Sequence, residues 1–160
     1  ALGPAFAAEL DTTLCGLSHG EVLKALTAGI ESKAMHARVV KFFHTADCGM
    51  LGFEGAKISG SGIAIGLQSK GTAVIQRKGL APLNNLELFS QAPLLSREAY
   101  FQIGANAASH ALRSPPSPVP VKADNMARLR LIVQAMLMHK REIASILPAK
   151  SPSEMQVIHD

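Results

Sequence analysis

The most constraining feature of this chain is a pair of short apolar runs that almost touch. Ile63–Gln68 alternates Ile63, Ile65 and Leu67 with smaller or polar residues, and Thr72–Arg77 follows after only Ser69, Lys70 and Gly71. Alternation with period two reads as a strand, and so short a join can only reverse the chain. The two runs are therefore an antiparallel hairpin with Lys70 at its tip. The preceding segment has another rhythm. Ser18 and Glu21 are spaced as a capping box, with Leu17 and Val22 as a hydrophobic staple. Val22, Leu23, Leu26 and Ile30 continue at helical spacing and predict an amphipathic helix over 19–34. His36–Phe43 (HARVVKFF), β-branched and aromatic, predicts a strand. Helix then strand is the rhythm of an α/β sheet, and the hairpin makes that sheet mixed.

Further along, Thr45–Lys57 is ambiguous. Met50, Leu51 and Phe53 have helical spacing, but Gly49, Gly52 and Gly55 each weaken a helix by about 1 kcal/mol. Ser59-Gly60-Ser61-Gly62 reads as a loop, and Leu80–Leu95, with Pro82, Asn84, Asn85 and Pro93, as mostly irregular chain. Ser96 caps a helix to about Leu112, with Leu95 and Tyr100 as its staple. Gly104, Ala105, Ala107, Ala108 and Ala111 make one side of it thin, suited to close approach of another backbone. Arg113–Val121 (RSPPSPVPV) is a polyproline-like spacer. Asp124 is expected to cap a last helix to about Leu147, with an apolar stripe through Leu129, Ile132, Val133, Met136, Ile143 and Leu147. The tail from Pro148 reads as frayed. The expected division is a domain over 1–112, a Pro-rich linker over 113–123, and a C-terminal helix and tail over 124–160.

Composition excludes several classes. Of 160 residues 48% are hydrophobic and 18% charged, against about 25% charged in ordinary soluble domains. Disorder needs the opposite balance, and no apolar run approaches the roughly 18 residues of a membrane span. Ala1–Leu10 has no basic residues ahead of its apolar ones, so no signal peptide is expected. Cys15 and Cys48 make neither a disulfide framework nor a metal spacing, which points to a reduced, cytoplasmic protein. The net charge of +4 is mild, and six Phe, one Tyr and no Trp give few stacking platforms for nucleic acid. Low charge with high apolar content points instead to surface buried against a partner chain.

No catalytic constellation stands out. The six histidines show no HExxH pair, and GxSxG and GxxxxGK[ST] are absent. Cys48 carries no nucleophile signature and reads as a small buried hydrophobe. The SGSG stretch could wrap a phosphate with its amides, but an ordinary loop before a strand has the same composition. Lys70 beside Gly71 could meet an anion or be a solvated turn lysine. Asp47 follows the HARVVKFF strand, where an α/β sheet usually meets its ligand, and a helix cap is an equal reading. Asn85 could serve an amide-bearing ligand or simply form a turn. The residues alone point to an α/β binding domain and subunit without a catalytic group or metal of its own.

Longer motifs narrow this. SGSGI at 59–63, QSKGT at 68–72, NLELFSQAPLL at 85–95 and QIGANAA at 102–108, with PSPVPV at 116–121, DNMAR at 124–128, GPAF at 3–6 and GLSH at 16–19, closely resemble the medium subunit of adenosylcobalamin-dependent diol and glycerol dehydratases. The resemblance covers nearly the whole chain. It implies a three-layer α/β/α fold with a mixed, mostly parallel sheet, Rossmann-like and anticodon-binding-domain-like, plus a C-terminal helical arm. It implies a non-catalytic hydro-lyase subunit in an α2β2γ2 assembly with a small subunit and a large TIM-barrel subunit that holds the substrate. Adenosylcobalamin would lie between barrel and medium subunit, its nucleotide tail toward the latter, and the holoenzyme would convert a vicinal diol or glycerol to an aldehyde by radical chemistry.

The family's cofactor contacts fall here on Asp47, Lys70 with its neighbour Thr72, Leu83 through its backbone, Asn85, Ser90 and Arg128. Family members usually have a strand before GPAF, so the first strand is expected to be short or missing, leaving a sheet edge that needs cover. A bacterial microcompartment is the second compartment that the resemblance allows. The competing reading is the small subunit of the dehydratase-reactivating factor, a chaperone-like partner of similar fold. It is expected to lack the NLELF segment and the Pro-rich arm with a long final helix.

Overall fold

Alternation along the hairpin decides which helix covers which face of the sheet. The computed structural model describes residues 1–6, 12–90, 92–121 and 128–157, and only the backbone of residues 93 and 128–131. In chain order the elements are α1 (His19–Glu31), β1 (Val39–Lys41), α2 (Cys48–Ile58), β2 (Ile63–Leu67), β3 (Ala73–Arg77), β4 (Glu87–Phe89), α3 (Arg97–Ala111), α4 (Arg128–Ala144) and β5 (Ser153–Met155), with a 3-10 turn at Ala92–Leu94. Ile63, Leu67, Ala73 and Ile75 share one core with Val22 and Leu26 of α1 and Tyr100 and Ile103 of α3. The alternate residues meet α2: a Cβ on Gly52 would lie 2.9 Å from Val74 Cγ1, and one on Gly66 would lie 2.6 Å from the Cys48 carbonyl oxygen. α1 and α3 thus cover one face and α2 the other, which gives the three layers.

The expectation of a mostly parallel, Rossmann-like sheet is wrong. β2 pairs with β3, β3 with β4, and β1 with β5, every ladder antiparallel. The reason is connection length for β2–β3–β4, because neither the 68–72 turn nor the 78–86 loop is a crossover. Among the described residues parallel pairing is confined to Leu2, which bridges both Lys41 and Leu67. Leu2 N donates to Val40 O at 2.8 Å and Gly3 N to Leu67 O at 2.9 Å, so residues 1–3 fill the place between β1 and β2.

The tail is also not frayed. β5 lies along β1 with Val40 opposite Glu154, Arg38 pairs with Glu154, and β1 is covered on that side. The strand expected over 36–43 shortens to β1, and the irregular stretch 80–95 contains β4. The ambiguous segment is helical as α2, because its glycines that cost propensity allow contact with β2 and β3.

The caps are as read: Ser18 and Glu21 form the capping box of α1, and Ser96 accepts from Ala99 N to start α3. The thin side of α3 is used inside the chain. A Cβ on Gly104 would come 2.1 Å from Leu26 O, and one on Gly29 2.0 Å from Phe101 O, so α1 and α3 touch backbone to backbone. The spacer is fastened to α3 by buried Asn106, which donates to Ser117 O at 2.8 Å and accepts from Ser117 N at 3.0 Å. Asp124 lies outside the described residues. Among the described residues no helix is long and apolar enough to cross a membrane.

Candidate functional site at the hairpin end of the sheet

The C-terminal ends of β1 and β2 lie at the same edge, because Leu2 runs parallel to both. Asp47, Lys70, Thr72 and Ser90 lie at that edge, whereas Leu83 and Asn85 are carried by the 78–86 loop, which leaves β3 at the other end. Asp47 caps α2, accepting from Met50 N at 2.8 Å on Oδ2; Oδ1 has no partner among the described residues. Lys70 sits half-buried in the turn between β2 and β3, and its ammonium makes no hydrogen bond or ion pair among the described residues. Phe89 faces Ala73 in register, so exposed Ser90 leaves the sheet at the end where Thr72 enters it. The 78–86 loop folds back over α2: Pro82 O lies 2.9 Å and Asp47 Oδ2 3.3 Å from the place a Gly49 Cβ would take. That loop carries Leu83, 93% exposed, and half-buried Asn85. Arg128 opens α4, and its side chain lies outside the described residues.

The turn itself is pinned from several sides. Gly71 N donates to Gln68 O at 2.9 Å and Gln68 N to Thr72 O at 3.0 Å. Gly71 has φ +111°, and a Cβ there would lie 2.5 Å from the Tyr100 hydroxyl, which donates to Gly71 O at 2.6 Å. Leu14 N donates to Lys70 O at 3.0 Å, and His19 Nε2 is 2.8 Å from Ser69 O. Ser69 N donates to Glu142 of α4 at 2.8 Å. Ser69 and Thr72 are buried, the Ser69 hydroxyl without a hydrogen-bond partner among the described residues, and half-buried Lys70 is the more exposed side chain between them.

Sequence reasoning missed the residues that hold these loops. Gln68 Nε2 donates to Ala46 O at 2.6 Å and fixes the approach to Asp47. Gln76 Nε2 donates to Ala81 O at 3.0 Å and draws the 78–86 loop onto the α2 face. For Gln76, a polar residue within the otherwise apolar run of β3 is the available signal; Gln68, just past β2, offers none. Cys48 is buried, its thiol donates to Gly66 O at 3.4 Å, and burial, reinforced by Asp47, pushes its pKa up to about 12. It is an inert packing thiol rather than a nucleophile. Among the described residues no group of three or more His, Cys, Asp or Glu could hold a metal ion. The geometry offers a cation and a carboxylate whose second oxygen has no partner among the described residues at one sheet end, and an amide and an exposed loop backbone on the loop that folds over α2. That set suits a large ligand with an anionic group and amide arms better than a reacting substrate.

Comparison with known proteins agrees on the fold and sharpens the family. The solved structures that resemble the chain include two reactivating-factor proteins. One, "Glycerol dehydratase reactivase", is 22% identical with a TM-score of 0.58 and covers 62% of this chain and 87% of its own. The other, "Structure of diol dehydratase-reactivating factor complexed with ADP and Mg2+", is 18% identical with a TM-score of 0.53 and covers 61% and 86%. Their low identity speaks to architecture alone. A family profile described as "Dehydratase medium subunit" matches residues 3–117, most of the chain and every candidate residue except Arg128. By that match the chain belongs to the dehydratase medium-subunit family.

Proposed function

We propose that this chain binds adenosylcobalamin in a diol or glycerol dehydratase, on the nucleotide-tail side of the cofactor and beside a large TIM-barrel subunit, without contributing a catalytic group. The observation that carries the reading is Lys70: an ammonium with no partner among the described residues, at the outer point of a turn whose Gln68, Ser69 and Gly71 backbone N–H groups are bonded within the fold. The donor set fits the group. Lys70 would meet the phosphate of the nucleotide tail, a permanent anion that needs a cation when partly buried. Asp47 through its free oxygen and Asn85 through its amide would hold corrin side arms, with the Leu83 backbone beside them. Ser90 would add a main-chain contact and Arg128 a second cation, and Thr72 supports the turn through its carbonyl, which accepts from Gln68 N. When bound, the cofactor would supply the radical chemistry that turns a vicinal diol into an aldehyde.

The outward apolar residues of α4, with Met136 68% and Val133 58% exposed, suit contact with the large subunit in an α2β2γ2 assembly that also includes a small subunit. The similar reactivase folds leave a second reading, a reactivating-factor subunit. The NLELF segment and the Pro-rich arm, one forming β4 and the other tied to Asn106, favour the enzyme subunit. The test is Lys70→Ala in the assembled dehydratase. Adenosylcobalamin affinity should fall about ten- to hundredfold, the worth of a charge-assisted bond at about 1.5–3 kcal/mol. Cobinamide, which lacks phosphate and base, should bind as before. Equal weakening of both, or of neither, would remove Lys70 from the phosphate.

A further inference from the structure

One tether of the hairpin turn comes from a helix whose opposite side is open. Glu142 is 1% exposed; its Oε1 accepts from Ser69 N at 2.8 Å and its Oε2 from Ala5 N at 2.7 Å. The fit is close, since a Cβ on Gly3 would stand 2.7 Å from Oε1. A buried carboxylate is costly unless its oxygens are bonded, and here both are. Lys41 is a nearby cation: it is buried and donates to Phe6 O at 3.0 Å. Burial holds its pKa below the ordinary lysine range, Lys150 adds to that, and the Glu142 charge opposes it.

Helical spacing puts Ala135, Met138 and Glu142 on one side of α4 and Ile132, Met136 and Ile143 on the other. Met138 packs with Ala5, Leu14 and Ala92, whereas Ile132, Met136 and Ile143 are each at least half exposed. Among the described side chains of α4, only Met138 and Glu142 are buried.

We propose that Glu142 is a positioning residue for Lys70: its carboxylate fixes the backbone of the 68–72 turn and thereby couples the seating of α4 to the anion affinity of that turn. The coupling to a phosphate rests on the reading of Lys70 given above, whereas the positioning of the turn does not. Ser69 is the residue before Lys70, so losing the Glu142 bond frees the turn at the point where the ammonium is aimed. Coupling of this kind is reciprocal: a well-seated α4 tightens anion binding, and a bound anion helps to seat α4.

The test uses the full chain and, for affinity, the assembled dehydratase. Glu142→Gln keeps the shape but turns one acceptor into a donor facing an N–H. Hydrogen exchange at the Ser69 amide should speed up at least tenfold, with amides of β3 and of α1 and α3 within twofold of wild type. Met138→Ala, which loosens α4 and leaves the carboxylate in place, should speed Ser69 exchange in the same way and serves if Glu142→Gln does not fold. In the assembly, Glu142→Gln should weaken adenosylcobalamin at least fivefold and cobinamide less than twofold. Adding Lys70→Ala should give no more loss than Lys70→Ala alone. Unchanged Ser69 exchange in both variants would overturn the positioning role, and additive losses would overturn action through Lys70. If Lys70→Ala alone fails to separate the two corrinoids, the phosphate reading falls, and Ser69 exchange still decides whether Glu142 positions the turn.

Discussion

Helices α3 and α4 both carry more small or apolar surface than a helix at the edge of a small domain needs, and they use it in opposite ways. On α3, Gly104, Ala105, Ala107 and Ala108 are buried, and the partner that they admit is the backbone of α1 in the same chain. On α4, Ile132, Val133, Met136 and Leu137 are each more than half exposed, and the helix holds the chain by its other side. A row of small residues marks a place where main chains meet. Such contact is short-range and must be completed during folding. A row of large aliphatics on a helix that also carries Lys140 and Arg141 can stay in water at modest cost. It becomes worth far more once a partner removes it from solvent.

This contrast can be broken most sharply at Gly104. Gly104→Ala should lower unfolding free energy by about 3 kcal/mol, even though alanine favours a helix by about 1 kcal/mol, because the new Cβ would press on the Leu26 carbonyl. Urea denaturation reads this directly, and a loss below about 0.5 kcal/mol would mean that α1 and α3 can part freely. The matching change on α4, Val133→Asp with Met136→Asp, should leave the isolated chain within about 0.5 kcal/mol of wild type. It should weaken association with the large subunit by about 2 kcal/mol, near thirtyfold. Destabilisation of the free chain with unchanged association would reverse the roles of the two helices.

The smallest effect should come from the start of α1. Ser18→Ala removes the acceptor for Glu21 N and should cost about 1 kcal/mol at neutral pH. Glu21 has its pKa lowered from the ordinary 4.5, first by the Ser18 backbone N–H and next by the Ser18 hydroxyl and Arg97. Its contribution is therefore full above that ordinary value and fades as pH falls through the depressed one. The gap between Ser18→Ala and wild type should narrow in acid melts; a widening gap would contradict the sign.

Much of this architecture was legible because it is local. The hairpin follows from alternation and a short join, and the caps of α1 and α3 follow from Ser18, Glu21 and Ser96. What was not legible depends on contacts far along the chain. Ser153–Met155 has no strand signature of its own and becomes β5 only because β1 offers an edge. The glycines of α2 argue against a helix one residue at a time, yet Gly52 is what lets the helix reach Val74. At the site, Asp47 and Lys70 could be picked out as residues just past strand ends. Glu142 could not, because a glutamate after Lys140 and Arg141 looks like one more surface charge. Only its alignment with Ala135 and Met138, away from the apolar stripe, hints that it points inward.

The central claim is that the 68–72 turn, the start of α2 and the 82–85 loop folded over α2 form the ligand face. Hydrogen exchange on the assembled dehydratase, with and without adenosylcobalamin, tests it most directly. The expected result is slower exchange at Lys70 and Gly71, at Cys48–Met50 and at Leu83–Asn85 when the cofactor is present. Residues 35–38 and 59–61, which lie around an apolar cavity of about 320 Å³ at the other end of the sheet from the turn, should not change. Protection at 35–38 and 59–61 with none at the turn would contradict it and move the ligand to the opposite edge.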